Sequence, residues 1–186
     1  DHLAGLIRGS KDFIKSFSGL ETKLIVLPEY FLTGFPMGEG IKEWSEKACI
    51  DLDGTQYQAL GAICRENNIY LSGNAYELDS HFPDIYFQTS FIVDPRGKVI
   101  LRYRRLISMY APTPHDLLDR YVDIYGEESL FPVVATEIGN LAAVASEEIL
   151  FPEIARALTL RGAEVICHSS SEVSSPLMTP KKIARK

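Results

Sequence analysis

The chain has no long hydrophobic run and no excess of positive charge. No apolar stretch approaches the roughly 18 residues that span a membrane, so we predict no membrane partner. The formal net charge is −6, and an acidic chain lacks the basic surface that binds a nucleic-acid backbone. The basic run 181–186 is interpreted as a cut helix rather than as a nucleic-acid patch. The composition therefore predicts neither a membrane nor a nucleic acid as partner.

Cysteine is also scarce, with three residues at scattered positions: Cys49, Cys64 and Cys167. Their odd number and irregular spacing argue against a disulfide framework and predict a reducing, cytoplasmic environment. The dipeptide Cys167–His168 has no second pair at zinc spacing, so no metal and no cofactor is predicted. Residues 1–4 show neither a starting Met nor a signal-peptide pattern, which favours processing or a true start farther upstream.

The length of 186 residues predicts one domain over residues 1–186. The chain's 46% apolar and 24% charged residues are typical of a soluble globular protein. Segments with helical spacing alternate with short apolar runs, which predicts a layered α/β fold. We predict helices over 3–18, 41–49, 55–67 and 151–162, and strands over 24–27, 69–77, 85–93, 98–105, 131–136, 141–145 and 163–167.

Several local signals refine this prediction. The strand 24–27 has four consecutive aliphatic residues, which suits burial on both faces in a parallel sheet. The strands 85–93 and 98–105 form a hairpin around the turn 94–97, and a second turn is predicted at Gly139–Asn140. Thr113 and Asp116 are candidate helix caps. The pair formed by His115 and Asp116 is therefore interpreted as a loop or capping pair rather than as a catalytic dyad.

Three polar residues stand at strand ends, where α/β sheets keep their ligand crevices: Glu29, Arg105 and Ser146. Glu29 directly follows Pro28, which cannot donate to a strand ladder and so ends the first strand. Taken alone, Glu29 also suits a solvated loop. The other two strand ends favour a shared pocket, because functional groups gathered at strand termini are the expected layout in α/β folds.

Four segments of the chain together resemble the nitrilase, or carbon–nitrogen hydrolase, superfamily. In this resemblance 24–34 corresponds to the segment with the general base, at Glu29, and 97–106 to the segment with the lysine. The nucleophile segment corresponds to 139–153 and continues through 156–166. The resemblance implies a four-layer α-β-β-α sandwich, incomplete at both ends in this chain, and a homodimer or higher homo-oligomer formed through the helices after the nucleophile. It also implies a small amide or nitrile as substrate, with amides ahead of nitriles in an amidase-like branch.

The chemistry implied by the resemblance requires a thiolate, a carboxylate and an ammonium group. Only the carboxylate, Glu29, matches the pattern. Arg105 stands at the lysine position and Ser146 at the cysteine position, and neither Cys64 nor Cys167 is placed to substitute. A serine hydroxyl is harder to ionise than a thiol, and a glutamate is a weak base for its proton. Arg105 is expected to pair bidentately with Glu29, which would weaken that base further.

The sequence therefore leaves two functional hypotheses open. The chain is either a hydrolase homologue that is inactive or weakly active, or a non-catalytic binding or assembly protein on the same scaffold. A working enzyme with Ser146 as nucleophile and Arg105 as electrophile is the less favoured form of the first hypothesis. A serine hydrolase of the α/β-hydrolase type is disfavoured, because residues 144–148 lack the glycines of a nucleophile elbow.

Other acidic residues have uncertain roles at this point. Glu148 resembles the acidic residue that the family carries two places after the nucleophile, but a salt bridge or a helix-start charge is the favoured interpretation. The family's second active-site glutamate is left unassigned, and substrate-binding residues are unknown. The candidates for that second acid are Asp116, Asp119, Glu127 and Glu128.

Overall fold

Helices and strands alternate along the chain as predicted, in a computed structural model that describes residues 2–108 and 111–171. The basic run 181–186 lies outside the described residues. The helices are α1 His2–Ser18, α2 Ile41–Ala48, α3 Thr55–Asn67, α4 Leu118–Tyr125 and α5 Pro152–Leu160. The strands are β1 Leu24–Val26, β2 Ile50–Asp51, β3 Tyr70–Leu78, β4 Tyr86–Val93, β5 Val99–Arg104, β6 Val134–Thr136, β7 Gly139–Ala145 and β8 Val165–Ser169. Short 3-10 helices cover Pro114–Leu117, Glu127–Leu130 and Ser146–Leu150.

The strands form two sheets. The first sheet has the order β1-β3-β4-β5, with β2 also paired to β3, and the second has the order β6-β7-β8. β1 and β2 run parallel to β3, whereas β3, β4 and β5 are successively antiparallel. The predicted hairpin is confirmed, and Asp94 closes its turn by accepting hydrogen bonds from the backbone N–H groups of Arg96 and Lys98, each at 2.9 Å.

Two predicted features of the strands are wrong. The first strand is not buried on both faces: Leu24 and Ile25 are half-buried and Val26 is 42% exposed. The reason is that β1 stands first in the order of its sheet, with β3 as its neighbour in that order. The turn before β7 lies at 137–138 instead of Gly139–Asn140, because the ladder already pairs Thr136 with Gly139.

The two sheets pack against each other where β4 and β5 contact β7. Their shared core contains Tyr103 of β5 and Leu141 of β7, together with Leu158 of α5. The other face of the first sheet is covered by α1 and α3, whose Ile7 and Leu60 belong to a second apolar cluster. The carboxyl ends of β1 and β7 come together beside β4 and β5, and the residues that follow them form the site described below.

Replacing Gly61 by alanine should destabilise this packing by about 2 kcal/mol, because overpacked backbone contacts cannot relax freely. A methyl group on Gly61 of α3 would lie 2.5 Å from the carbonyl oxygen of Gly97 in the hairpin turn. Gly9→Ala in α1 is a matched control, since nothing lies within 4 Å of its added methyl group. That control should stabilise the chain by about 0.5–1 kcal/mol. Urea unfolding of both variants checks the prediction, and equal effects would contradict it.

No helix within residues 2–108 and 111–171 combines the length and the apolar character needed to cross a membrane.

Candidate active site

Glu29 is a buried carboxylate just past the end of β1. The backbone N–H of Leu27 still donates to the carbonyl of Ser72 at 2.8 Å, and Pro28 then ends the ladder. The next residue, Glu29, is only 4% exposed. The solvated-loop interpretation of Glu29 is therefore wrong, because the neighbouring strands and the chain after β8 enclose the side chain.

Both oxygens of the Glu29 carboxylate accept hydrogen bonds. Oε1 accepts from Nε2 of Gln88 at 2.8 Å, and Oε2 accepts from the backbone N–H and the hydroxyl of Ser171, each at 3.2 Å. Gln88 is itself buried in β4, where its Nε2 also lies 3.2 Å from Oδ1 of Asn74. Sequence reasoning missed Gln88 and Ser171. The signal for Gln88 was its place in the polar run Gln88–Thr89–Ser90, which interrupts the apolar residues of β4.

Arg105 lies next to this carboxylate and is held by several acceptors. It continues β5, since its backbone N–H donates to the carbonyl of Gln88 at 2.9 Å. Nη1 donates to Oε1 of Gln88 at 2.8 Å, Nε donates to the carbonyl of Ile107 at 2.7 Å, and Nη2 donates to Glu147 at 2.6 Å. The distance from Nη1 to Oε1 of Glu29 is 3.7 Å. The predicted bidentate pairing with Glu29 is wrong, because the two terminal nitrogens serve different partners.

The charge of Arg105 is stabilised despite its burial. Burial acts to lower the pKa of this guanidinium, but the hydrogen bond to Glu147 and the surrounding carboxylates outweigh that effect and raise the pKa. The group therefore stays cationic, and it cannot exchange a proton as a lysine ammonium can.

Ser146 follows β7 directly and adopts an unusual backbone conformation. Its φ is +49°, in the left-handed region that few non-glycine residues occupy, and it is only 2% exposed. Its carbonyl accepts a hydrogen bond from Nε2 of His168 at 2.9 Å. Glu147, the next residue, accepts a hydrogen bond from Arg105. The structure therefore brings Glu29, Arg105 and the turn that begins at Ser146 to the same end of the sheets.

Glu148 joins that turn to the segment after β5. The residue is fully buried, and its Oε1 accepts from the hydroxyl of Tyr103 at 2.7 Å and from the backbone N–H groups of Leu106 and Ile107 at 2.7 and 3.1 Å. Burial raises the pKa of this carboxyl. Glu148 lies in the first turn of the 3-10 helix Ser146–Leu150, as the helix-start interpretation predicts. It is also an internal acceptor that positions the segment from which Arg105 projects.

A cavity of about 410 Å³ opens beside Arg105 and Gln88. Aromatic and apolar residues make up most of its lining, and Arg105, Gln88 and Ser108 are polar. The remaining lining residues are Tyr30, Phe35, Pro36, Met37, Gly38, Tyr76 and Ala111. The volume falls in the range that small-molecule sites usually have, about 300–1,000 Å³.

The comparison with known families decides the relationship. A family model described as carbon-nitrogen hydrolase matches residues 3–183. The chain belongs to this family. The resemblance to the nitrilase superfamily is thereby confirmed, together with a mixed α/β fold.

The chain is similar in sequence to curated nitrilases and similar in fold to solved structures of this family. Nitrilase 2 of Arabidopsis thaliana is 28% identical over 176 residues, which cover 87% of this chain and 49% of the relative. The crystal structure of Saccharomyces cerevisiae Nit3, from branch 10 of the nitrilase superfamily, matches with a TM-score of 0.65 and 22% identity, over 92% of this chain and 58% of that one. An amidase from Nesterenkonia, with acrylamide added at its active-site cysteine, matches with a TM-score of 0.51 and 21% identity, over 83% and 56%. The chain thus spans about half the length of the curated relative.

Three of the other candidate residues, Asp116, Glu128 and Cys64, have contacts that suit structural roles. Asp116 accepts from the backbone N–H of Thr113 at 2.7 Å and from its hydroxyl at 3.1 Å, so the predicted cap is confirmed. Glu128 lies 3.4 Å from Arg161. Cys64 is buried in the apolar cluster under α3, and burial raises its thiol pKa to about 12.

Among the residues that the structure describes, no group of three or more His, Cys, Asp or Glu side chains is arranged to hold a metal ion. Besides Glu29, the acidic residues that act on the Arg105 guanidinium include Glu147 and Glu148, which are not among the four that were considered for a second active-site acid.

Proposed function

We propose that this chain is a carbon–nitrogen hydrolase homologue of the amidase-like branch that keeps a site for small amides but turns them over weakly or not at all. The observation that carries this proposal is the arrangement of Arg105, whose guanidinium donates to Gln88, Ile107 and Glu147. In this proposal Glu29, Arg105 and Ser146 occupy the positions of the base, the electrophile and the nucleophile. Amides rank ahead of nitriles as ligands.

The described contacts of Glu29 also argue against fast chemistry. A general base must reach the proton that it takes, but both carboxylate oxygens already accept hydrogen bonds from Gln88 and Ser171. The Nesterenkonia amidase has an active-site cysteine, and the resemblance places Ser146 at that position here. A serine hydroxyl needs a well-placed strong base, which a hydrogen-bonded glutamate does not supply.

The second candidate function is a binding or assembly protein without turnover. The observation that favours it is the cavity of about 410 Å³, which remains beside Arg105 although the charged groups are paired with one another. Such a site can bind a ligand without transforming it. In either case we propose a four-layer α-β-β-α sandwich, supported by α1 and α3 outside one sheet and by α5 packed with the other, and assembly into a homodimer or higher homo-oligomer.

Ammonia release from a panel of short amides should be the same for the unmodified chain and for Ser146→Ala, at or near the rate without protein. This result is expected because a serine hydroxyl is harder to ionise than a thiol, and the Glu29 carboxylate already accepts hydrogen bonds from Gln88 and Ser171. Thermal unfolding of both chains serves as the control for folding. Turnover by the unmodified chain far above the rate without protein, and its loss in Ser146→Ala, would overturn the proposal and identify a working serine amidohydrolase.

A further inference from the structure

We infer that this chain forms a dimer in which α1 packs antiparallel against α1 of a second copy. The inference rests on the homo-oligomer of the proposed function and names the surface that forms it. The family resemblance implies contacts through the helices after the nucleophile, so an interface on α1 is a different assignment. It is carried by the exposed apolar side chains of α1, by their arrangement around the helix and by the area that they offer.

The second half of α1 is uncovered by the residues that the structure describes. Ile7 is the buried residue of this helix, and every residue from Asp12 to Leu20 is exposed. A helix of this length is marginal by itself in water, and most helices gain their stability by packing an apolar face. The last two turns of α1 therefore gain most if another surface covers them.

Five large apolar side chains lie exposed along this helix and just past its end, and we call them the α1 stripe. Phe17 is 83% exposed, Leu20 68%, Phe13 65%, Leu6 55% and Ile14 41%. The rings of Phe13 and Phe17 stack on each other, with centroids 5.9 Å apart and planes at 8°. Residues four apart lie on one side of a helix, so these two rings form one continuous apolar ridge.

The charged side chains of α1 point away from this ridge. At 3.6 residues per turn, Arg8, Lys11, Asp12 and Lys15 lie about 120–180° around the helix from the middle of the stripe. Two copies can therefore bring their stripes together without burying a charge, which would be costly.

The same arrangement disfavours an anionic membrane surface as the partner. Helices that lie on such membranes place basic side chains where they reach the headgroups beside the apolar face. On α1 the basic side chains are turned away from the stripe, and the whole chain has a net charge of −6, which anionic lipids repel.

The stripe is self-complementary in an antiparallel pair. With the two-fold axis at Phe13, the Phe13 rings of the two copies meet. Leu6 and Leu20, each seven residues from Phe13, then meet one another across the axis. Ser10 and Ser16, each three residues from Phe13, also face one another, and their small side chains let the helices approach closely. Such a contact between identical patches is the commonest form of homodimer interface.

The area of the stripe suits a dimer. From the exposed fractions of its members, the stripe offers about 600 Å² per chain, at the upper end of the largest apolar patch on a typical monomer. Two copies would bury about 1,200 Å², where the range of stable interfaces begins. On α5, by contrast, Ile154 and Leu158 are buried and Leu160 is the side chain more than half exposed.

Light scattering after size-exclusion chromatography tests the inference on the unmodified chain and two variants. The unmodified chain should have the mass of a dimer at micromolar concentration. Phe17→Glu should weaken the dimer at least about 30-fold and give the monomer mass, because it places a charge in the centre of the stripe. Leu160→Glu, which changes an 82% exposed side chain on α5, is the matched control and should leave the dimer unchanged.

Cross-linking gives a second measurement that does not depend on weakening the dimer. Phe13→Cys should form a disulfide between two copies under mild oxidation, because the two side chains meet at the two-fold axis. Lys15→Cys, on the other side of the same helix, should not.

A monomeric unmodified chain, equal effects of Phe17→Glu and Leu160→Glu, or equal cross-linking at the two introduced cysteines would each overturn the inference. Monomers that sediment with phosphatidylglycerol vesicles and lose this binding in Phe17→Glu would also overturn it, in favour of a membrane surface. Amide turnover plays no part in these measurements, so their failure is distinct from a failure of the proposed weak or absent hydrolysis.

Discussion

The double variant Ser146→Cys with Arg105→Lys should release ammonia from acetamide at least about 100-fold faster than the unmodified chain. The first change supplies a thiol, which ionises near pH 8.5 and is a stronger nucleophile than a serine hydroxyl. The second change removes the guanidinium that is shared among Gln88, Ile107 and Glu147, and leaves an ammonium on a flexible stem. Ammonia release at saturating amide measures the result.

Each single change should recover less activity than the pair. Ser146→Cys alone keeps the guanidinium fixed by its partners, and Arg105→Lys alone keeps a weak nucleophile. Adding Glu29→Gln to the double variant should remove the gained activity, because the only carboxylate at the base position is then lost. If the double variant folds and is no more active than the unmodified chain, the site is not a disabled hydrolase and the binding hypothesis replaces it.

Glu148→Ala should lower the free energy of unfolding by about 4 kcal/mol, one of the largest losses that a single substitution can cause here. The change removes the one oxygen that accepts from the hydroxyl of Tyr103 and from the backbone N–H groups of Leu106 and Ile107. Two buried donors and one half-buried donor would then lack an acceptor, and each buried one costs about 1–3 kcal/mol. Urea unfolding measures the loss, and a loss below about 1 kcal/mol would contradict this role.

Glu148→Gln is the matched control and has a distinct pH signature. Its single carbonyl oxygen can replace Oε1, so most of the stability should be kept. Burial raises the pKa of Glu148 from its ordinary 4.5. Below about pH 4.5 the folded and unfolded chains both carry the proton. As pH rises from there through the raised folded-state pKa, the unfolded chain ionises first, so stability is lost. The free energy of unfolding of Glu148→Gln, measured relative to that of the unmodified chain, should therefore increase as pH rises through this window. A difference between the two chains that stays constant with pH would contradict the assignment.

Local patterns were sufficient to predict most of the secondary structure. Hydrophobic spacing predicts α1 and α3, and the turn residues at 94–97 predict the hairpin of β4 and β5, because these signals act between residues that are close in the chain. Composition, however, does not show which strand ends a sheet. For that reason the exposure of Val26 at the end of the sheet order was missed.

The sequence by itself determined the family, the order of helices and strands, and the strand ends that carry Glu29, Arg105 and Ser146. Only the tertiary structure decided how these groups are partnered. Gln88 and Glu29 are 59 residues apart, and Arg105 and Glu147 are 42 apart, so no local pattern records their contacts. Folding two sheets against each other brings these distant groups together, and burial then favours conformations in which charges and polar atoms have partners. That preference paired the guanidinium of Arg105 with Gln88 and Glu147 rather than bidentately with Glu29.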